Sequence, residues 1–209
     1  MEYNISAKGM NNMNQYEQLD TMARQKSGVL RTADVLSEGI SKTVLAKYVE
    51  LRGFERAAHG IYLAPDAWTD TMYLLQLRFA QAVFSHDTAL FLHNMTDREP
   101  TQYTVTVKTG YNPSRLTADG VKVYTVKKKL YSLGIVQIST PFGHTVAVYD
   151  PERTVCDIVR SRNNIEAQTF QDTLKQYVRR SDKNLHRLAE YAKVFRVEKI
   201  LNQYLEVLL

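Results

Sequence analysis

The sequence predicts an α+β protein built from two domains, on three observations. Between residues 14 and 63, short helical segments alternate with glycines, and a strand-like pair closes the series. Between residues 103 and 149, runs rich in Val and Thr alternate apolar and polar side chains as half-buried strands do. From Asp150 onward the apolar residues recur with a helical period, which closes the second domain with helices.

Taken in order, residues 1–13 are rich in Asn and Met, follow neither period, and are expected to form a flexible N-terminus. Met10 and Met13 suggest an alternative start within it. A helix is predicted over Asn14 to Ser27, with Tyr16, Leu19 and Met22 or Ala23 on one face and Ser27-Gly28 as its stop. Val29-Leu30 reads as a connector. Thr32 is placed to cap a short helix over Ala33 to Ser37, which Gly39 ends, and Ser41 is placed to cap the next. Over Lys42 to Leu51 the apolar residues Val44, Leu45, Tyr48, Val49 and Leu51 gather on one side. Lys42, Thr43, Ala46, Lys47 and Glu50 are left on the other. After Gly53, Phe54-Glu55-Arg56 and Gly60-Ile61-Tyr62-Leu63 read as a small hairpin. Helix, short helix, glycine turn, capped helix and hairpin is the order of a winged helix-turn-helix over residues 14–68, whose second helix of the turn motif enters the major groove.

Ala-Pro-Asp-Ala-Trp at 64–68 breaks the strand, so the second domain is expected to run over residues 69–209. Its first helix is predicted over Thr71 to Val83, and Ser85 is placed to cap another through Leu92. Strands are predicted at Tyr103 to Val107, Val121 to Val126, Gly134 to Ser139 and Thr145 to Tyr149. Asp150-Pro151-Glu152 has the order of an N-cap, a proline at the first helical position and an acid in the first turn. Further helices are predicted from Ile165 to Arg179, Leu185 to Phe195 and Glu198 to Leu208.

Composition limits the function classes. With 44% hydrophobic and 23% charged residues in 209, the chain can bury real cores, so whole-chain disorder is excluded. No apolar run approaches the roughly 20 residues that span a bilayer. No secretory h-region is visible, and a cytoplasmic protein without a membrane partner is expected. The single cysteine, Cys156, excludes an internal disulfide and a multi-thiolate zinc site. The net charge of +5 is concentrated in patches. Seven basic residues face four acidic ones between Arg24 and Arg56, and Lys108, Arg115, Lys122 and Lys127-Lys128-Lys129 face Asp119 alone.

The run Gly39-Ile40-Ser41-Lys42-Thr43-Val44-Leu45-Ala46-Lys47-Tyr48-Val49, with Phe54-Glu55-Arg56 and Gly60-Ile61-Tyr62-Leu63 after it, resembles the N-terminal winged helix of the AbiEi family of antitoxins. Ser85-His86-Asp87-Thr88-Ala89-Leu90 and Pro151-Glu152-Arg153-Thr154-Val155-Cys156-Asp157 resemble two signatures of that family's antitoxin domain, so the resemblance covers residues 14–208. It implies a bacterial abortive-infection antitoxin of type IV, part of phage defence. Such a protein represses its own operon by binding inverted repeats in double-stranded DNA. Its C-terminal domain opposes a nucleotidyltransferase-like toxin without a stable complex. Members often carry Arg before the wing glycine, where this chain has His59, which implies a weaker wing-tip charge near neutral pH.

For DNA reading the candidates are Ser41, Lys42, Thr43, Ala46 and Lys47, because the N-terminal part of a recognition helix reaches base edges and small residues allow close approach. Against them stands the ordinary reading of a solvated helix face. Arg24, Lys26, Arg31 and Arg56, with His59 at the wing, are candidate phosphate contacts, which position a protein without reading sequence. The triple lysine is a second candidate nucleic-acid patch, against the commoner reading of a solvated turn.

No catalytic, metal or cofactor site is expected. Ser85-His86-Asp87 are neighbours, and side chains adjacent on a helix point apart, whereas a triad converges from different elements. Ser85 reads instead as an N-cap, Asp87 as favoured by the helix dipole, and His86 as packed, with His93 a heptad on. Glu152 and Asp157, five apart, fall at different angles on a helix, and pairing with Arg153 or Arg160 accounts for them. The histidines lack metal-ligand spacing, no glycine-rich phosphate loop is present, and Cys156 reads as a buried structural thiol. The competing function from another class is a repressor that responds to a small molecule and has no toxin. A nuclease is a third, and lacks the carboxylate and lysine constellation.

Overall fold

The computed structural model describes residues 7–208 and is an α+β fold. The chain divides into two compact units, one running to Leu74 and taking in Pro141–His144, the other comprising Leu75–Thr140 and Thr145–Leu209.

The first unit opens with α1 (Ala7–Gln25), so residues 7–13, expected to be flexible, are helical. Helix propagates cheaply from an anchored segment, and Ala7, Lys8, Met10 and Met13 there are good helix formers. Residues 1–6 of the expected flexible terminus lie outside the described residues. Leu19 and Ala23 fix α1 to the core, and Ser27 and Gly28 stop it with φ of 49° and 86°. Gly28 N–H then donates to Ala23 O at 2.8 Å. A side chain at 28 would also meet Ala67: a Cβ there lies 2.5 Å from the Ala67 Cβ.

Val29 and Leu30 are not a connector. They begin β1 (Val29–Arg31), because Leu30 is fully buried and the backbone pairs with a later strand. Then follow α2 (Thr32–Ser37), α3 (Lys42–Leu51), β2 (Glu55–Ala58) and β3 (Ile61–Leu63). The N-cap of α2 is Arg31 rather than Thr32, whose N–H donates to Gly60 O at 2.8 Å instead. Ser41 caps α3 as its spacing predicts, accepting from Val44 N–H at 3.3 Å. The three strands form an antiparallel sheet in the order β1-β3-β2, irregular between Arg56 and Ala58. Leu19, Leu30, Val35, Ile40, Leu45 and Tyr48 make the core. Leu51 departs from the predicted apolar face: it lies one turn past Tyr48, beyond that core, and is 68% exposed.

The sequence places the domain boundary after residue 68; the division falls after Leu74, within α4 (Thr71–Arg78). Asp70 starts that helix, accepting from Tyr73 N–H at 3.0 Å, and is buried in the first unit. The helix stops at Arg78 rather than Val83, and Val83–Phe84 form β4. Ala82, Val83 and Phe84 are all buried, and so short a run has no period to separate strand from helix.

The second unit continues with α5 (His86–Leu92), β5 (Thr104–Lys108), α6 (Ser114–Ala118), β6 (Lys122–Val126), α7 (Lys128–Tyr131), β7 (Ile135–Ser139) and β8 (Thr145–Tyr149). After α8 (Pro151–Arg160) and a 3-10 turn (Arg162–Asn164) come α9 (Ala167–Arg179), α10 (Leu185–Phe195) and α11 (Glu198–Leu208). The sheet order is β6-β5-β4-β8-β7, with β5 parallel to β6 and β4 parallel to β8, the other pairs antiparallel. Two-residue β4 is therefore the centre of the sheet. Helix α8 is buried nearly all round, its Val155, Cys156, Ile158 and Val159 packing with Leu174 and Tyr177 of α9 and Leu188 and Ala192 of α10.

Candidate nucleic-acid interface

The two faces of α3 differ in burial. Leu45 and Tyr48 are buried, while Ser41, Lys42, Thr43, Ala46, Lys47 and Glu50 are all exposed. The first turn contains Lys42 and no acidic residue, although the helix N-terminus carries partial positive charge. Placing a cation there costs about 0.3–1 kcal/mol relative to an acid. The turn therefore presents Lys42 together with the exposed N-terminal amides, a combination that favours anions. Among the described residues neither Lys42 nor Lys47 is in an ion pair, so both charges are available to a polyanion.

The candidate phosphate contacts fall into three situations. Lys26 and Arg31 converge on one carboxylate: Lys26 Nζ pairs with Asp34 Oδ2, and Arg31 Nη1 lies 3.7 Å from Asp34 Oδ1. Their charge is partly spent within the unit. Arg56 and His59 lie together on the β2–β3 hairpin, where Arg56 Nη2 donates to His59 Nδ1 at 3.0 Å. A guanidinium can only donate, so His59 Nδ1 is the acceptor of this contact. Arg24 lines a cleft with Arg52, the residue after α3, and neither Ser41 nor Lys42 is part of that lining. Sequence reasoning missed Arg52, whose Nη2 donates to Asp20 Oδ2 at 2.8 Å while Tyr48 OH donates to Asp20 Oδ1 at 2.7 Å. This shared carboxylate ties the end of α3 to α1.

In the second unit the sequence motifs resolve into buried networks. Ser85 and His86 do not point apart, because His86 has φ of 47°, a left-handed conformation that turns its ring back. His86 Nδ1 lies 3.0 Å from Ser85 Oγ and its Nε2 lies 3.1 Å from Ser161 Oγ. Thr106 Oγ1 donates to Ser85 Oγ at 2.8 Å, so Ser85 precedes α5 without capping it by its side chain. The imidazole stacks on Tyr124 with centroids 3.6 Å apart and is fully buried. Burial, then the charges of Arg160, Lys122 and Arg153, hold the His86 pKa well below its ordinary value. With Ser85 also 0% exposed, the pair has no open face toward a substrate. Asp87 is only partly buried, which raises its carboxyl pKa, and faces a cavity of about 550 Å³ with Lys122 and Glu166. His93 turns away from His86, its Nε2 meeting Tyr149 O at 2.7 Å.

Glu152 and Asp157 face different partners, as their spacing predicts. Glu152 Oε1 accepts from Tyr177 OH at 3.0 Å and Asn184 N–H at 2.9 Å, whereas Asp157 Oδ2 accepts from Arg153 Nε at 2.9 Å. Arg153 is fully buried, with its guanidinium about 4.0 Å from the Tyr149 ring centroid and 4.1 Å from that of Phe195. Cys156 is fully buried, and burial drives its thiol far above the ordinary range, which leaves it inert. The triple lysine is exposed at the start of α7, beyond edge strand β6. Among the described residues no group of three or more His, Cys, Asp or Glu is placed to hold a metal ion. Nor is any described helix long and apolar enough to cross a membrane.

No protein-family model matches the chain, and no curated protein matches it. Among solved structures, it is similar to the crystal structure of the Rv2827c protein from Mycobacterium tuberculosis. That likeness has a TM-score of 0.58 at 14% identity and covers 86% of this chain and 71% of that one. Likeness at this identity concerns the fold, and the α+β arrangement is what the two chains share.

Proposed function

We propose that the chain is an autoregulatory transcriptional repressor and antitoxin: a winged helix-turn-helix in the first unit reads DNA through α3, and the second unit opposes a toxin. The observation that carries the DNA reading is the α3 face itself. Ser41, Lys42, Thr43, Ala46 and Lys47 are exposed on a helix whose other side is locked into the core, and the β2–β3 hairpin with Arg56 and His59 follows as a wing. Repression then works by occluding polymerase, and two copies occupy inverted repeats, since a palindrome is usually read by a pair. The toxin assignment rests on the resemblance of the Ser85–Leu90 and Pro151–Asp157 motifs, whose partner is a nucleotidyltransferase-like protein without a stable complex.

Titration of the full chain against DNA from upstream of its own gene tests the first half. Specific binding that weakens steeply with salt is expected, because Lys and Arg contacts release counterions. Binding no tighter than to scrambled DNA contradicts it. Co-expression with an adjacent nucleotidyltransferase-like gene tests the second half by growth rescue, and no rescue alongside intact DNA binding favours a ligand-responsive repressor. A specific observation supports that second reading: the first unit holds a cleft of about 970 Å³.

A further inference from the structure

The cleft is bounded by the C-terminal part of α1, by Tyr48 and Arg52 at the end of α3, by residues 64–68, and by Pro141, Phe142 and His144 of the same unit. Two aromatic side chains in its lining are unusually open: Trp68 is 80% exposed and Phe142 is 49% exposed. Two open rings lining one cleft give it faces on which a planar apolar group can stack.

The charges of the lining specify that partner further. Asp20 is already satisfied by Arg52 and Tyr48 at 2.8 and 2.7 Å. Among the described residues Arg24 instead donates only to neutral oxygens, Asp20 O at 3.3 Å and Thr21 Oγ1 at 3.5 Å. Asp66 is exposed and, among the described residues, is in no ion pair. The cleft therefore offers one guanidinium and one carboxylate that lack opposite charges, beside two open rings. A simple anion would meet Asp66, and a simple cation would meet Arg24. A zwitterion with a planar ring satisfies all four groups.

We propose that this cleft binds a free aromatic amino acid, its carboxylate on Arg24, its ammonium on Asp66 and its ring against Trp68 and Phe142. The occupant also touches Tyr48 and Arg52, so it bears on the contact that ties the end of α3 to α1. Control of DNA binding by this route rests on the DNA reading above; the binding site does not.

Trp68 is the sole tryptophan of the chain, so its emission reports this cleft alone. Full-length protein is titrated with L-phenylalanine, which does not absorb where tryptophan is excited, and a saturable change in the millimolar range or tighter is expected. Phenylpropionate, which lacks the ammonium, and phenethylamine, which lacks the carboxylate, should each bind roughly tenfold more weakly or worse. Arg24→Gln and Asp66→Asn should weaken phenylalanine by a similar factor. The analogues need no variant, so the comparison holds even where a substitution disturbs folding. An unchanged emission, equal responses to the two analogues and phenylalanine, or variants that titrate like the parent chain would each overturn the assignment. A gel shift with and without phenylalanine reads the consequence for DNA separately. Phenylalanine binding without any DNA binding removes the DNA reading and keeps the cleft.

Discussion

His86 and Arg153 show how far single residues in the second unit depart from ordinary surface chemistry. His86 is buried neutral, its folded pKa depressed below the ordinary 6.5. Its contribution to stability is therefore fully present above about pH 6.5 and is lost as pH falls below that value, where the unfolded chain takes up the proton first. His86→Asn tolerates the left-handed backbone but cannot titrate. The stability advantage of the parent chain over this variant should shrink between about pH 7 and pH 5, followed by thermal unfolding. A constant difference across that range would mean that His86 is not held neutral. Arg153 and Asp157 are both fully buried, 2.9 Å apart. Arg153→Met should destabilise by about 3–5 kcal/mol in urea unfolding, because it leaves the buried Asp157 carboxylate to the more distant and partly exposed Arg160, 3.6 Å from its Oδ1. Adding Asp157→Leu should recover much of the loss, and a double variant no better than the single one would refute the pairing argument.

At the level of elements, the parts legible in the sequence are those whose signals are local. Ser41 and Asp150 are read as N-caps because a cap acts within three residues, and both accept a backbone N–H as expected, from Val44 and Arg153. The helices Leu185–Phe195 and Glu198–Leu208 follow from period alone. Strands β1 and β4 were not legible, since two or three apolar residues carry no period and their identity comes from distant pairing, Val29 with Leu63 and Phe84 with Val148. The same division runs through the candidate site. The exposed face of α3 can be read from its spacing, but the sharing of Asp34 by Lys26 and Arg31, the placement of Arg24 in the cleft and the exposure of Trp68 depend on tertiary contacts. Gly28 has both a local and a tertiary reason to be glycine, a φ of 86° and no room against Ala67. Gly28→Ala should cost about 1–3 kcal/mol and lower Tm, whereas Ser41→Ala should cost about 1 kcal/mol. A neutral Gly28→Ala would mean that residues 64–67 yield easily.

For the whole molecule, the chain divides into two compact units, and the proposed function assigns DNA binding to one and toxin opposition to the other. Lys47 is exposed on α3 and in no ion pair among the described residues, so reversing its charge should disturb DNA contact without disturbing either core. Full-length Lys47→Glu should lose repression of a reporter driven by the upstream DNA yet still rescue growth against the toxin; loss of both activities would argue against separate units. The central claim, that α3 is the DNA-reading element, meets its most direct test in a gel-shift titration of the parent chain and Lys47→Glu on the same upstream DNA. Replacing a phosphate-attracting cation by a repelled anion should abolish specific binding, with circular dichroism and thermal unfolding unchanged. Equal affinity of the two proteins would contradict it and remove α3 from the interface.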